Sequence, residues 1–204
     1  MNKGTAKHLL LLRKMMPGRV YRRSALVHLS PSVDRHLATL VAKNEVVKVS
    51  TGLYCRPKKS NFGPVPPDEF SLVKAFLNED RFLVTSFSSY TQLGLGLTQL
   101  YVHKVVYNHK KSGEFLLGGR HFLFKRMKKF PRQQSSEYLL VDMLNNIQDL
   151  AENESAILRN LRRYKERFDT KKVLSLSKKY GKHQANKILE GIFKDEQKSQ
   201  SKKH

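Results

Sequence analysis

Four side chains capable of hydrogen bonding share one side of a helix that the sequence predicts near the amino terminus. They are Ser32, Arg35, His36 and Thr39. A helix in the major groove of DNA presents such side chains to base edges, and one arginine can donate two hydrogen bonds to a guanine. The two hydroxyls and the imidazole would be shorter, more adaptable partners. This pattern predicts a base-reading helix face.

Basic residues surround these four positions in a way that suits a polyanion. Residues 1–60 contain 13 Lys and Arg against two acidic residues, Asp34 and Glu45. A field of that sign attracts nucleic acid whether or not any base is read. The side chains expected to contact phosphates, or to lie in the hairpin beside the helix, are Arg22, Arg23, Lys43, Lys48, Thr51, Arg56, Lys58 and Lys59.

Apolar periodicity predicts the helices that would position these residues. One helix spans residues 2–16 and ends at Pro17-Gly18, because Pro clashes with the preceding turn and Gly tolerates the exit geometry. A brief strand at residues 20–21 and a short helix over 23–28 follow. The next helix starts at Ser30-Pro31, where Ser can cap a free backbone N–H. Its inward stripe consists of Val33, Leu37, Leu40 and Val41.

Two strand-like runs, 46–49 and 53–56, complete this first unit. They are joined across Ser50-Thr51-Gly52, where glycine can supply the positive φ of a hairpin turn. Helix, strand, helix, helix and hairpin together predict a winged helix-turn-helix over residues 1–60. Such modules also dock proteins, and a charged helix face is most often only solvated. The charge imbalance is what favours DNA as the partner.

Charge is uneven along the chain, and this predicts a second core in its middle. The net charge is +22 over 204 residues; residues 61–150 hold +3, against +11 before them and +8 after them. The single Cys55 cannot form an intramolecular disulfide, which fits a reducing compartment. No segment approaches the roughly 20 apolar residues of a membrane span. These features predict a cytoplasmic protein without a membrane partner.

Proline density marks the end of the first unit. Residues 57–67 contain four prolines and one glycine, which excludes a regular helix or a central strand. The sequence therefore predicts a linker over 61–67 and a second domain over 68–194. Residues 195–204 are expected to form a disordered basic tail, because they offer almost nothing to a core.

The second domain is predicted to be α+β. Asp68 can cap a helix, and residues 82–85 and 101–108 have the composition of strands. A hairpin around Gly118-Gly119 completes a small antiparallel sheet. From Ser135 onward, four apolar stripes at helical spacing predict a helical carboxyl-terminal part.

A second concentration of positive charge lies on one of these carboxyl-terminal helices. Most charge runs of this kind are solvated surface, and a second surface for nucleic acid or an acidic partner is the less common interpretation. The residues concerned are Arg159, Arg162, Arg163, Lys165 and Arg167.

Several short runs in the first 130 residues resemble the AbiEi-like antitoxin and regulator proteins of bacterial type IV toxin-antitoxin systems. They are Thr51–Lys59, Gly63–Pro67, Thr85-Ser86 ahead of Leu93-Gly94-Leu95, Val105-Val106-Tyr107 and Phe122–Arg126. Thr51 stands where that family often has arginine. The resemblance implies a winged helix that binds inverted repeats in its own promoter and a carboxyl-terminal domain needed for antitoxicity.

The same resemblance implies a cognate toxin similar to a nucleotidyltransferase, opposed without any need for a stable complex. Inverted repeats require two copies on the DNA. The chain is therefore expected to be a monomer in solution that forms a dimer on DNA.

A metal-dependent nuclease is the enzyme alternative for a basic α+β protein. It needs two or three converging acidic residues, usually with a lysine. Helix-end and solvent roles explain the acids of the middle segment more simply, and the eight histidines lack metal-ligand spacing. The sequence predicts no catalytic residue, metal or cofactor. The acids considered are Asp68, Glu69, Glu79, Asp80, Glu114 and Glu137.

Two classes of function agree best with these sequence features. One is a sequence-specific regulator that acts as an antitoxin. The other is a structural module that grips the phosphates of RNA or DNA without reading sequence. They differ in whether binding discriminates one duplex from another.

Overall fold

The computed structural model describes residues 3–200, with side chains described for residues 7–194. The first unit of structure spans residues 3–56, and a 3₁₀ turn over Val27–Leu29 joins its second and third helices. Its elements, in chain order, are α1 (Lys3–Lys14), β1 (Val20–Arg22), α2 (Arg23–Leu26), α3 (Val33–Ala42), β2 (Val47–Ser50) and β3 (Leu53–Cys55).

The three strands form an antiparallel sheet in the order β1-β3-β2. The β2–β3 hairpin turns through Gly52, whose φ of +69° is the left-handed geometry that glycine tolerates. The hairpin predicted from the sequence is thus confirmed. The helices enclose a small core whose fully buried members include Leu11, Met15, Leu26, Leu37 and Leu40.

The start of α3 differs from the expectation. The helix begins after Ser32, whose side chain makes no capping hydrogen bond. Ser30 does not cap it either, because its hydroxyl lies 2.6 Å from Nδ1 of His36 inside the unit. The inward stripe is confirmed at Val33, Leu37 and Leu40, while Val41 is half-buried.

The proline-rich segment is more regular than the linker that the sequence predicts. Strands β4 (Lys58–Ser60) and β5 (Gly63–Val65) form an antiparallel hairpin in which Pro64 pairs with Lys59. A two-stranded hairpin consists only of edges, and proline is tolerated there because its missing N–H can face solvent. The hairpin therefore crosses the boundary expected at residue 60.

The middle of the chain forms a helix and a four-stranded sheet. Asp68 caps the helix as predicted, because its Oδ1 accepts a hydrogen bond from the Ser71 backbone N–H at 2.8 Å. The loop after the first strand of this sheet contains a 3₁₀ segment, Phe87–Leu93. The elements are α4 (Glu69–Leu77), β6 (Phe82–Thr85), β7 (Lys104–Asn108), β8 (Gly113–Leu117) and β9 (Arg120–Arg126).

The order of this sheet is β6-β7-β9-β8. Its two outer pairings are antiparallel, as predicted, but the central pairing of β7 with β9 is parallel. The reason is that the β8–β9 hairpin places its second strand next to β7. The chain reverses between β7 and β8 and again between β8 and β9, so β7 and β9 run in the same direction and their pairing is parallel.

Four helices form the carboxyl-terminal part and confirm the α+β class. Helix α8 continues to Gln200, so residues 195–200 extend a helix where a disordered tail was expected. The last four residues of that expected tail lie outside the described residues. Within residues 3–200, no helix is both long and apolar enough to cross a membrane. The helices are α5 (Ser136–Asn145), α6 (Glu154–Tyr164), α7 (Thr170–Tyr180) and α8 (His183–Gln200).

The first unit and the four-stranded sheet share a hydrophobic core. Buried Val49 and Leu53 of the small sheet pack in the same cluster as Leu72 of α4 and Phe122 of β9. The Gly118 backbone N–H also donates to the Val49 carbonyl at 2.8 Å. The junction at residues 61–67 therefore joins two regions that bury apolar surface against each other.

Candidate nucleic-acid interface

The side of α3 that turns away from the core is exposed. Ser32 and Arg35 are both on this side, and the helix packs on α1 through the opposite one. Thr39 is half-buried, and its hydroxyl donates to the Arg35 carbonyl at 2.9 Å. Two of the four predicted base-reading side chains thus project into solvent, and a third lies at the margin of the exposed side.

His36 is the exception among the four. Its side chain is only 8% exposed, and its Nδ1 is within hydrogen-bonding distance of the Ser30 hydroxyl. Burial, followed by the positive charges of His8, Lys7 and Arg35, lowers the pKa of His36 below its ordinary value of 6.5. The expectation that it faces a ligand is therefore corrected: it holds the residues before α3 in place.

Two arginines predicted to contact phosphates bind backbone carbonyls within the fold. The Arg56 guanidinium donates to the Leu12 and Met15 carbonyls, at 3.1 and 3.0 Å, at the carboxyl end of α1. The Arg22 guanidinium donates to the Ala75 and Phe76 carbonyls in the last turn of α4, at 2.9 and 3.2 Å. Helix ends leave carbonyls without intrahelical partners, and a cation satisfies them well.

Arg23 forms an ion pair that joins α2 to α3. Its Nε and Nη2 donate to the two carboxylate oxygens of Asp34 at 2.6 and 2.5 Å. The hydrogen bond to Arg23 lowers the pKa of Asp34. Both side chains are exposed, so this pair contributes little stability but fixes the geometry of the amino end of α3.

The remaining predicted phosphate contacts are exposed. The Lys43 ammonium lies 3.3 Å from Nε2 of the buried His8, at the far end of α3. The others lie on the β2–β3 hairpin or on the hairpin that follows it, and are Lys48, Thr51, Lys58 and Lys59. Cys55, the last residue of β3, is buried, and burial raises the pKa of its thiol to about 11. Cys55 therefore packs as a small apolar residue in the shared core.

The second basic concentration lies on α6 and the 3₁₀ turn after it. Arg159, Arg162 and Arg163 are exposed on the outer side of α6, whose inner side buries Ile157 and Leu161. The Arg163 and Arg167 guanidinium carbons lie 5.4 and 6.0 Å from the centre of the Tyr164 ring. Lys165 is half-buried.

Five of the six acids weighed for a nuclease form caps or ion pairs, and the sixth, Glu114, is exposed on β8. Asp68 caps α4, Glu69 lies 3.4 Å from the Lys104 ammonium, and Glu79 lies 3.4 Å from the Lys110 ammonium. Asp80 pairs with Lys74, and Glu137 pairs with Lys172. Across the described part of the chain, no three His, Cys, Asp or Glu side chains come together as a metal site.

A buried polar cluster in the helical part was not anticipated from the sequence. Asp142 on α5 is 1% exposed and accepts a hydrogen bond from the Tyr90 hydroxyl at 2.7 Å. Asn146 donates to the Tyr107 hydroxyl at 3.0 Å and accepts from the Lys125 ammonium at 2.8 Å. Burial raises the pKa of Asp142, while the tyrosine hydroxyls oppose that change. The signal available was an acid inside the otherwise apolar run of residues 138–144.

Comparison with known proteins shows the fold and the family. No curated protein matches the sequence. A crystal structure titled as that of the RV2827C protein from Mycobacterium tuberculosis is similar, with a TM-score of 0.53 and 12% identity over 95% of this chain and 78% of that chain. The model of DUF6088, described as a family of unknown function, matches residues 20–173, and the chain belongs to that family.

Proposed function

We propose that residues 3–56 form a winged helix-turn-helix and that the protein is a DNA-binding transcriptional autoregulator, the antitoxin of a toxin-antitoxin pair. The observation that carries the proposal is the exposed outer side of α3, which is followed by a hairpin whose first strand exposes Lys48. The order of elements and the sheet order β1-β3-β2 support it, since helix, strand, helix, helix and hairpin is the arrangement of that module.

Arg35 is the residue best placed to read a base. It is exposed on α3, and the Thr39 hydroxyl binds its backbone carbonyl rather than its guanidinium. A guanidinium can donate to both O6 and N7 of guanine, whereas the Ser32 hydroxyl can either donate to a base or accept from one. The two together offer discrimination at the amino end of the helix.

Phosphate contacts would come from exposed basic side chains on the two hairpins and at the end of α3. Lys48 on β2 and Lys58 and Lys59 on β4 are exposed. Lys43 lies at the carboxyl end of α3. These groups would fix the register of the duplex without reading its sequence. Arg22, Arg56 and His36 would act indirectly, by holding the helices and strands that present the contacts.

The antitoxin part of the proposal rests on the resemblance to AbiEi-like proteins. It assigns the protein two copies on a promoter with inverted repeats and a partner toxin similar to a nucleotidyltransferase, without requiring a stable complex. Co-expression tests this part: the protein should restore growth to cells that express the toxin encoded beside its gene. Growth that stays arrested, with both proteins present at normal levels, would remove the antitoxin role.

DNA binding has its own test. Fluorescence anisotropy would compare the duplex upstream of the chain's own gene with a shuffled duplex of the same composition, at several salt concentrations. The proposal predicts tighter binding to the upstream duplex at every salt concentration, since base contacts depend weakly on counterion release. Equal affinity for both duplexes would instead favour the module that grips phosphates without reading sequence.

A further inference from the structure

A cleft of about 470 Å³ lies where the β2–β3 hairpin turn meets the second region of the molecule. The hairpin supplies Thr51, the start of α2 supplies Arg23, and the end of α4 supplies Asn78. The fourth wall is Lys111, in the turn between β7 and β8. Both regions of the molecule therefore contribute to one concavity.

The charge of the cleft is positive. Arg22, Arg23 and Lys111 all line it, and no carboxylate is among the described residues on its walls. The Arg22 Nη1 is held by the last turn of α4, and the Arg23 Nε and Nη2 are held by Asp34. Each arginine keeps further N–H groups beyond those bonds, because a guanidinium has five donors.

Lys111 differs from the two arginines in how it is held. Its ammonium lies 5.0 Å from the centre of the Phe76 ring and 5.8 Å from that of Phe115. Among the described residues, no carboxylate lies within salt-bridge distance of it, whereas its neighbour Lys110 binds the Leu77 carbonyl at 3.1 Å and pairs with Glu79. The aromatic rings orient the Lys111 charge without cancelling it.

The cleft is also connected to α3, through Arg23. Arg23 lines it and is joined to Asp34 in the first turn of that helix. Thr51, at the tip of the hairpin, lines the same cleft. A duplex whose groove received the amino end of α3 would carry one sugar-phosphate strand past this tip, where cations and a hydroxyl converge.

We propose that this cleft seats a backbone phosphate of the DNA that α3 contacts, with Lys111 supplying a contact from outside the first unit. The proposal rests on the proposed DNA binding and adds to it a residue from the second region. A phosphodiester offers a single negative charge and acceptor oxygens, which match an ammonium and a hydroxyl at the rim. The contact carries no sequence information.

The test measures DNA affinity against salt for Lys111→Ala, Lys111→Arg and the matched exposed-lysine control Lys187→Ala. Lys111→Ala should weaken binding to upstream and shuffled duplexes by the same factor, roughly fivefold, and reduce the salt slope by about one. Lys111→Arg should retain most of the affinity, since the charge stays. Thermal unfolding would show that all three variants remain folded.

The outcomes separate the two proposals. If wild type binds DNA and Lys111→Ala matches Lys187→Ala in affinity and slope, the cleft proposal is overturned and DNA binding stands. If wild type binds no DNA, both fail. If inorganic phosphate at matched ionic strength stabilises wild type but not Lys111→Ala, while their DNA affinities agree, the cleft holds a free anion and the proposal is again overturned.

Discussion

The first unit and the α6 segment are both strongly basic, yet they use their arginines differently. In the first unit, Arg22 and Arg56 bind carbonyls at helix ends, and Arg35 stands exposed beside a hairpin. On α6, Arg159 and Arg162 project from the outer side of a helix whose inner side buries Ile157 and Leu161. Charge counts treat these residues as equal. The comparison teaches that geometry, rather than net charge, separates a candidate binding surface from supporting cations.

The largest effect should come from breaking the core that the two regions share. Leu53 on β3 is 3% exposed, and Leu53→Ala would leave a cavity in that core. We expect a loss of about 2–5 kcal/mol in the free energy of unfolding, measured by urea denaturation. Val47→Ala, at a residue 44% exposed on β2, should cost within about 0.5 kcal/mol. Equal losses would mean that the shared core does not stabilise the small sheet.

A smaller effect should distinguish a supporting arginine from an exposed one. Arg56→Ala leaves two carbonyls at the end of α1 without their donor and should cost about 1.5–3 kcal/mol. Arg35→Ala should change stability by less than about 0.5 kcal/mol, since its side chain is exposed. Urea unfolding of the two variants checks this. Similar losses in the free energy of unfolding would mean that Arg56 supports the fold no more than Arg35 does.

We expect His36 to have a still smaller effect on stability, and one that depends on pH. Its pKa is lowered in the folded state, by burial and by the charges of His8, Lys7 and Arg35, so the unfolded chain binds the proton more readily. Stability present above about pH 6.5 should therefore be lost as pH falls through the folded pKa. Comparing unfolding midpoints between about pH 7 and pH 5, His36→Gln should flatten this dependence relative to wild type. His183→Gln, at an exposed position, is the control, and equal flattening by both variants would contradict the assignment to His36.

The smallest effect is expected on α6. Replacing Arg162 and Arg163 together by Ala should alter stability by less than about 0.5 kcal/mol, because both are exposed. It should also leave the ratio of upstream to shuffled DNA affinity unchanged, although the affinities themselves can fall with the lost charge. A change in that ratio, measured by fluorescence anisotropy, would indicate that α6 contributes to base reading and would contradict its assignment to α3.

Local sequence patterns were sufficient to predict much of the fold. The β2–β3 hairpin followed from Gly52 between a run rich in valine and a run containing Tyr54, and the α4 start followed from Asp68. Periodicity also placed the buried side of α3, although it could not detect that Ser30 turns inward to His36. These features depend on residues a few positions apart, which a sequence displays directly.

Long-range partners explain what the sequence could not predict. Arg22 and its acceptor Ala75 are 53 positions apart, and nothing local marks either residue as a partner. The parallel pairing of β7 with β9 depends on which strand of a hairpin lies inward. Lys111 enters the candidate site only because the shared core brings its turn beside Thr51.

The most direct test of the central proposal is the ratio of affinities for the upstream and shuffled duplexes in Arg35→Ala, with Arg159→Ala as the matched control. If the outer side of α3 reads bases, Arg35→Ala should lower that ratio by roughly tenfold, corresponding to the loss of one bidentate contact, while weak binding that depends on salt persists. Arg159→Ala should keep the wild-type ratio. An Arg35→Ala protein that still discriminates as well as wild type would contradict the proposal.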